Sequence, residues 1–142
     1  MITFPIVTRV LGSTTLNTGG TTSVNTTAAK SYNSDFVMFS IRLGTIAAGG
    51  GLSSIVAQGS NDGSNWTAIT ISPSIVVGDT DDNNFVCVLL GVNQGKFRDY
   101  RLVLTTAGAV NSVIDYVDAY AFSNRVAPVP LSASGFLYRA TN

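Results

Sequence analysis

The sequence predicts an all-β fold, a two-sheet antiparallel β-sandwich of jelly-roll-like form with extended N- and C-terminal arms. Residues that build exposed helix faces are scarce, because the chain of 142 residues has no glutamate and only two lysines. Val, Ile, Thr, Phe and Tyr instead recur in short runs separated by Gly, Asn, Asp and Ser. Such runs are typical of strands and turns, and no segment has the pattern of an amphipathic crossover helix.

The clearest strand is predicted from Phe36 to Leu43. Large apolar side chains alternate along it with Met, Ser and Arg, so they share one face of a strand: Val37, Phe39, Ile41 and Leu43. Burying that face contributes about 6 to 12 kcal/mol before chain entropy is subtracted, at about 1.5 to 3 kcal/mol per side chain. The segment is therefore expected to lie in the core.

Further strands are predicted at Leu52 to Ser60, Asn65 to Ile71, Phe85 to Leu90, Tyr100 to Thr105 and Val113 to Phe122. The run that starts at Phe85 is apolar on both faces, which suits a strand with neighbours on both sides. In the run that starts at Tyr100, alternate residues are expected to face the core while Arg101 points outward. Between the first two of these strands, Asn61-Asp62-Gly63-Ser64 favours a tight hairpin, because glycine adopts positive φ freely.

The two ends of the chain differ from its middle. Residues 11 to 31 are rich in Thr, Ser, Asn and Gly and are expected to form edge strands with long loops. We expect a sandwich domain over residues 1–124, with a possible N-terminal arm at 1–10, and an extended C-terminal arm at 125–142, where Pro128 and Pro130 exclude a central strand. Apolar residues at both ends are candidates for contact with a partner, and packing on their own domain is an equal alternative: Phe4, Ile6, Val129, Leu131, Phe136 and Tyr138.

Charge and composition argue against several classes of function. Charged residues make up 11% of the chain, the net charge is zero, and the basic residues are scattered, whereas phosphate binding needs a concentrated cationic face. We therefore expect no nucleic-acid partner. No basic region precedes a long apolar stretch near the N-terminus, and no apolar run approaches the length of a membrane span, so we expect neither a signal peptide nor membrane insertion.

Catalytic and metal-binding patterns are weak. The absence of histidine removes the commonest general base and zinc ligand, so we expect no enzymatic activity and no cofactor. Asp79, Asp81 and Asp82 are spaced like the start of a calcium loop, but an EF-hand needs glycine where Asn84 stands, and a solvated turn is the alternative. We expect no metal site, with these three as the only candidates. The single cysteine, Cys87, lies in an apolar run and is expected to be a buried thiol.

Two stretches carry a family resemblance. The residues Gln58-Gly59-Ser60-Asn61-Asp62-Gly63-Ser64-Asn65-Trp66-Thr67-Ala68-Ile69 and Phe97-Arg98-Asp99-Tyr100-Arg101-Leu102-Val103-Leu104-Thr105 together resemble two adjacent elements of discoidin-type jelly-roll domains. The chain lacks that family's early ligand-loop signature and its bracketing cysteines, so no sugar or lipid site is carried over. The same pattern is similar to one in small structural proteins of tailed bacteriophages. The low charge, the strands rich in Thr, Ser, Asn and Gly, and the apolar ends are similar to those of phage capsid decoration, or cement, proteins.

The phage resemblance implies a capsid decoration protein, made in the host cytoplasm and located on the capsid exterior. Its implied partners are the major capsid protein and itself, as a homo-dimer or trimer, with no membrane involved. A carbohydrate- or receptor-binding module of a phage tail or fibre is the alternative, in which Trp66, Tyr32 or Tyr120 stack on sugars, although Trp66 also suits a hairpin anchor. A bacterial surface or fibre subunit is a third possibility.

Overall fold

Two packed β-sheets make up the protein. The structure is a computed structural model that describes residues 6–32, 34–71, 74–92, 97–123 and, as backbone only, 136–141. Its strands are β1 (Ile6–Leu11), β2 (Thr14–Leu16), β3 (Ser23–Asn25), β4 (Ala29–Lys30), β5 (Phe36–Ile46), β6 (Leu52–Ser60), β7 (Thr67–Ile69), β8 (Phe85–Gly91), β9 (Asp99–Thr106), β10 (Ser112–Phe122) and β11 (Phe136–Thr141). One short 3₁₀ helix, Asp79–Asp81, precedes β8.

The strand order places the terminal strands at the edges of the first sheet. That six-stranded sheet has the order β1-β10-β5-β8-β11, and β2 also pairs with β10. The five-stranded second sheet has the order β3-β9-β6-β7, and β4 also pairs with β9. All pairings between these strands are antiparallel except that of β11 with β8, which is parallel. The predicted all-β, two-sheet antiparallel sandwich is confirmed.

The core lies between the sheets and consists of the side chains that alternate inward. The predicted inward residues of β5 are each exposed by 1% or less, as are Tyr100, Leu102 and Leu104 of β9. The strand β8 lies between β5 and β11, as its two apolar faces predicted. The alternation of apolar side chains therefore identified the central strands of both sheets.

The N-terminal region closes one side of the sandwich. After β2 the chain leaves β10 and runs along β9 as β3 and β4, which confirms the edge strands predicted within residues 11 to 31. Between β3 and β4, the Thr26 amide donates to the Leu102 carbonyl at 2.9 Å. The Leu102 amide donates in turn to the Thr26 hydroxyl at 3.0 Å. The Thr27 amide reaches the carbonyl of Val10 in β1 at 2.8 Å, so this segment links the two sheets.

The predicted hairpin of β6 and β7 is confirmed, but the tight turn expected to join the two strands is wrong. The strand β7 covers only Thr67–Ile69, and residues 61–66 form a loop. The Asp62 carboxylate accepts the amides of Asn65 at 2.7 Å and Ser64 at 2.8 Å, and these bonds order a connection longer than the predicted Asn61-Asp62-Gly63-Ser64 turn. Gly63 does adopt a positive φ, +76°, as the sequence suggested.

The predicted arms contain paired strands. Residues 6–10 belong to β1, which pairs with β10, and residues 136–141 form β11, which pairs with β8. Residues 1–5, 124–135 and 142 lie outside the described residues, so the predicted boundary near residue 124 stays a prediction.

Candidate functional site: an aromatic face on the first sheet

The outward face of the first sheet carries many apolar and aromatic side chains. Strand registers place its members in rows across β1, β10, β5 and β8. We call this surface the aromatic face, and define it by the residues Val7, Arg9, Phe36, Met38, Ser40, Arg42, Phe85, Cys87, Leu89, Tyr116, Asp118, Tyr120 and Phe122. An antiparallel sheet with one side in water usually alternates apolar-in and polar-out, so this outward composition is unusual.

Charged groups on the aromatic face bind one another and the rings. The Arg9 guanidinium forms an ion pair with Asp118 and lies 4.1 Å from the centre of the Tyr116 ring. The hydrogen bond to Asp118 raises the pKa of Arg9 above its ordinary value. Burial raises the pKa of Tyr120, and the negative charge of Asp118 adds to the effect. The positive charge of Arg9 is therefore already paired within the face.

A second guanidinium has a similar position at the β5–β8 side. Arg42 lies 4.8 Å from the centre of the Phe85 ring and 4.0 Å from the carboxylate of Asp115. A cation above an aromatic ring is attracted to the negative face of its π-system. Both arginines of the aromatic face thus lie along its surface and make cation–π contacts with its rings.

The other end and the centre of the face are packed. The rings of Phe36 and Phe122 stack with their centres 5.5 Å apart. Ser40 and Cys87 point to the same side, yet they are only 7% and 1% exposed, so the centre of the face is closed to solvent. The predicted burial of the Cys87 thiol is confirmed.

This composition matches what protein partners bind. Tyr, Phe, Met and Arg are enriched in protein–protein interfaces, and they make up most of the aromatic face, although Asp118 and Ser40 belong to types that are depleted there. Most of the groups on this face are suited to apolar and aromatic contact.

The sequence pointed to Tyr120 and Cys87 singly but did not predict that the residues of the aromatic face share one surface, although a weak signal existed. Tyr116, Tyr120 and Phe122 alternate with inward side chains along β10, so their outward direction was predictable. That they join the outward residues of β5 and β8 depends on the strand order, which the sequence does not give.

Few of the predicted contact residues can be placed in full. Ile6 lies on β1 and is 46% exposed. Phe136 and Tyr138 lie on β11, at the opposite edge of the same sheet, and only their backbone is described. Phe4, Val129 and Leu131 lie outside the described residues.

The candidate sugar-stacking aromatics are not brought together on one sheet. Trp66 immediately precedes β7 of the second sheet, and the Arg101 guanidinium lies 4.2 Å from its ring centre. Arg101 points outward, as predicted, and donates to the Gln58 side chain at 2.7 Å. Tyr120 belongs to the first sheet, and Tyr32, which is 54% exposed, follows β4.

Two of the three candidate metal ligands accept hydrogen bonds from backbone amides. The Asp79 carboxylate accepts the amide of Gly49 at 2.8 Å, and the Asp81 carboxylate accepts that of Gly78 at 2.8 Å. The nearest partner of the Asp82 carboxylate is the side-chain amide of Asn83, at 3.4 Å. Across the described ranges, no three His, Cys, Asp or Glu side chains are grouped so that they could hold a metal ion.

Neither a search for membrane-spanning helices nor comparison with known proteins assigns the chain to a class. Within the part of the chain that the structure describes, no helix has the length and apolar character needed to cross a membrane. No protein-family model, curated protein or solved structure matches this chain.

Proposed function

We propose that this chain is a virion structural protein, a capsid decoration or cement protein that binds and stabilises the major capsid lattice of a tailed bacteriophage. The observation that carries the proposal is the aromatic face, whose Tyr, Phe, Met and Arg composition suits a protein interface. The local resemblance to phage structural proteins supplies the kind of partner. In this proposal the protein is made in the host cytoplasm and binds on the capsid exterior.

The mechanism requires contact area and no reaction. Four strands 4.8 Å apart and four rows of side chains about 6.7 Å apart give the aromatic face an area of about 500 Å². With an equal area on the partner, about 1,000 Å² is buried, which is near the lower limit for a specific interface. A single copy therefore binds weakly, and self-association into a dimer or trimer strengthens attachment by avidity.

Zero net charge is consistent with this kind of contact. A neutral protein is not driven to a capsid by long-range attraction, so specificity comes from the fit of the apolar face. The arginines of the face add planar groups that stack on a partner's rings or bind its carboxylates.

Co-sedimentation with capsids tests the proposal. The test uses empty, expanded capsids of the phage that encodes the protein, and three forms of it: wild type, Met38→Lys on the aromatic face, and Val56→Lys as the matched control. Val56 is an outward residue of β6 with a similar degree of exposure, on the second sheet. Wild type and Val56→Lys are expected to sediment with capsids, and Met38→Lys to remain in the supernatant.

Equal sedimentation of all three folded proteins would remove the aromatic face as the contact surface, and absence of wild type from the pellet would refute decoration. Point variants are preferable to deletion of the C-terminal region, because β11 pairs with β8 and its removal strips a strand from the sheet.

The alternative, a carbohydrate- or receptor-binding module of a tail or fibre, has one observation in its favour. Trp66, Arg101 and Gln58 place an indole, a guanidinium and an amide side by side on the outward face of the second sheet, and sugars bind such groups. Saturable binding to a glycan array, lost in Trp66→Ala with the fold retained, would favour this function over decoration.

A further inference from the structure

Within the described ranges, no strand pairs with the outer edge of β1 over residues 6–9, because β1 pairs there with β10 alone. Among the described residues, the bonds on its other side are those of the Thr27 amide and hydroxyl to the Val10 carbonyl, at 2.8 and 3.2 Å. Residues 6–9 are exposed on both faces of the strand, and Ile6 and Val7 are 46% and 52% exposed.

Residues 6–9 of this edge project no free charge against strand addition, and the register irregularity of β1 lies beyond them, between Arg9 and Leu11. Edge strands are commonly blocked by charges that project from them. Arg9 is the only charged residue among residues 6–9, and it bends back over the sheet to Asp118 and Tyr116. Because the whole chain has zero net charge, two copies meet without net repulsion. The edge can therefore accept an extended strand from an identical molecule.

We propose that β1 pairs antiparallel with β1 of a second copy, about a two-fold axis perpendicular to the first sheet. Such an axis keeps the outward faces of both sheets on the same side, so residues opposite each other must face the same way. One register meets this condition and pairs only β-branched residues. It sets Val7 opposite Val7 of the second copy, and Ile6 opposite Thr8. The nearest alternative, centred on Thr8, sets Val7 opposite Arg9 and is less favourable.

The pairing gives the dimer one continuous aromatic face. The two faces of about 500 Å² each adjoin at the Val7 pair and look the same way, so a lattice site meets about 1,000 Å² of protein surface. The role given to this dimer, binding a capsid site with both faces, rests on the proposed function. It also selects a dimer over a trimer, because an isologous contact closes with two copies.

The edge contact itself is small. Pairing of one short strand buries less than the roughly 1,000 Å² typical of stable interfaces, so the dimer in solution is weak and concentration-dependent. Covalent trapping suits such a contact better than a measurement of molecular mass alone.

The test is disulfide trapping of purified protein without capsids. In the proposed register, cysteines at position 7 face each other within the 4.4 to 6.8 Å between Cα atoms that a disulfide spans, whereas two residues at position 8 lie about 8 Å apart. Val7→Cys is expected to form a disulfide dimer at least about tenfold faster than Val76→Cys, a collision control that is 58% exposed elsewhere on the surface. Thr8→Cys is expected to match that control.

Equal rates for Val7→Cys and Val76→Cys would overturn the pairing, and rapid cross-linking of Thr8→Cys would overturn the register. Val7→Lys serves as a second variant, which introduces facing charges and is expected to remain monomeric at concentrations where wild type dimerises. Circular dichroism melts establish that each variant is folded. If Val7→Cys dimers form rapidly but do not bind capsids, decoration is refuted and the β1 pairing stands. If Val7→Cys does not cross-link faster than the control and the protein still binds capsids, the pairing is refuted and decoration stands.

Discussion

Gly59 leaves room for the Phe97 ring, and its replacement by alanine gives a sharp test of the packing at this end of the second sheet. A Cβ added at Gly59 would lie 2.2 Å from Cδ2 and 2.4 Å from Cγ of Phe97. The ring is held edge-on to Tyr100, with ring centres 6.1 Å apart, and the Phe97 amide donates to the Tyr100 hydroxyl at 3.3 Å. The ring therefore cannot yield cheaply, since Cγ is its point of attachment.

The expected effect changes sign with the residue at position 97. The φ of Gly59 lies outside the left-handed region, so alanine there carries no backbone strain and should stabilise by about 0.4 to 1 kcal/mol through the unfolded state. Overpacking against Phe97 costs about 1 to 3 kcal/mol, more than this gain. Gly59→Ala should therefore destabilise the wild type and stabilise a Phe97→Ala background, with a coupling free energy of about 1 to 3 kcal/mol, the overpacking cost alone.

Urea unfolding of the four proteins of this double-mutant cycle measures the coupling. Circular dichroism is the suitable probe, because Trp66 lies just before β7, close to the substitution, and its fluorescence would report local change. A loss of 1 kcal/mol lowers the melting temperature of a chain of this size by about 2 to 4 °C. The packing argument fails if Gly59→Ala has the same effect in both backgrounds, or stabilises the wild type.

Two further predictions concern hydrogen bonds of polar side chains, those of Asp62 in the loop before β7 and that of Thr26 beside β9. Backbone amides of Asn65 and Ser64 hold the pKa of Asp62 well below its usual range. Because the folded-state pKa is the lower one, the stabilisation is present above about pH 4, the unfolded value, and is lost as pH falls through the folded value. Urea midpoints of wild type and Asp62→Asn should therefore differ at pH 7 and converge as the pH falls below about 4, and a gap that is constant with pH would contradict this. Thr26→Val keeps the side-chain volume but leaves the buried Leu102 amide without its acceptor, at a cost of about 1 to 3 kcal/mol. Thr26→Ser, which retains the hydroxyl, is the control, and equal stability of the two variants would show that the bond contributes nothing.

The sequence predicted the central strands because their determinants are local. Alternation of apolar residues within β5 and β9 fixes which side chains face the core, and the predicted ends lie within three residues of the observed ones. The hairpin of β6 and β7 was predicted correctly, but its turn is longer than expected because the Asp62 side chain binds amides farther along the loop, an interaction that a list of turn-forming residues does not reveal.

The candidate site was less predictable than the fold because it depends on which strands are neighbours. Tyr120 and Met38 are 82 positions apart in the sequence and become cross-strand partners only through the pairing of β10 with β5. The parallel placement of β11 beside β8 has a similar origin, since two prolines before a strand indicate where it cannot lie but not which strand it joins.

The placement of β1 has a consequence for synthesis. Its pairing residues in β10 lie about 110 positions later, so at about 5 to 20 residues per second the first strand waits roughly 5 to 20 s after translation before its partner exists. During that delay an apolar segment would be exposed to aggregation. Residues 11 to 31, which follow β1 and are rich in Thr, Ser, Asn and Gly, limit the apolar part of this unpaired N-terminal region to β1 itself. Strands β1, β2 and β3 find their partners only after β9 and β10 have left the ribosome.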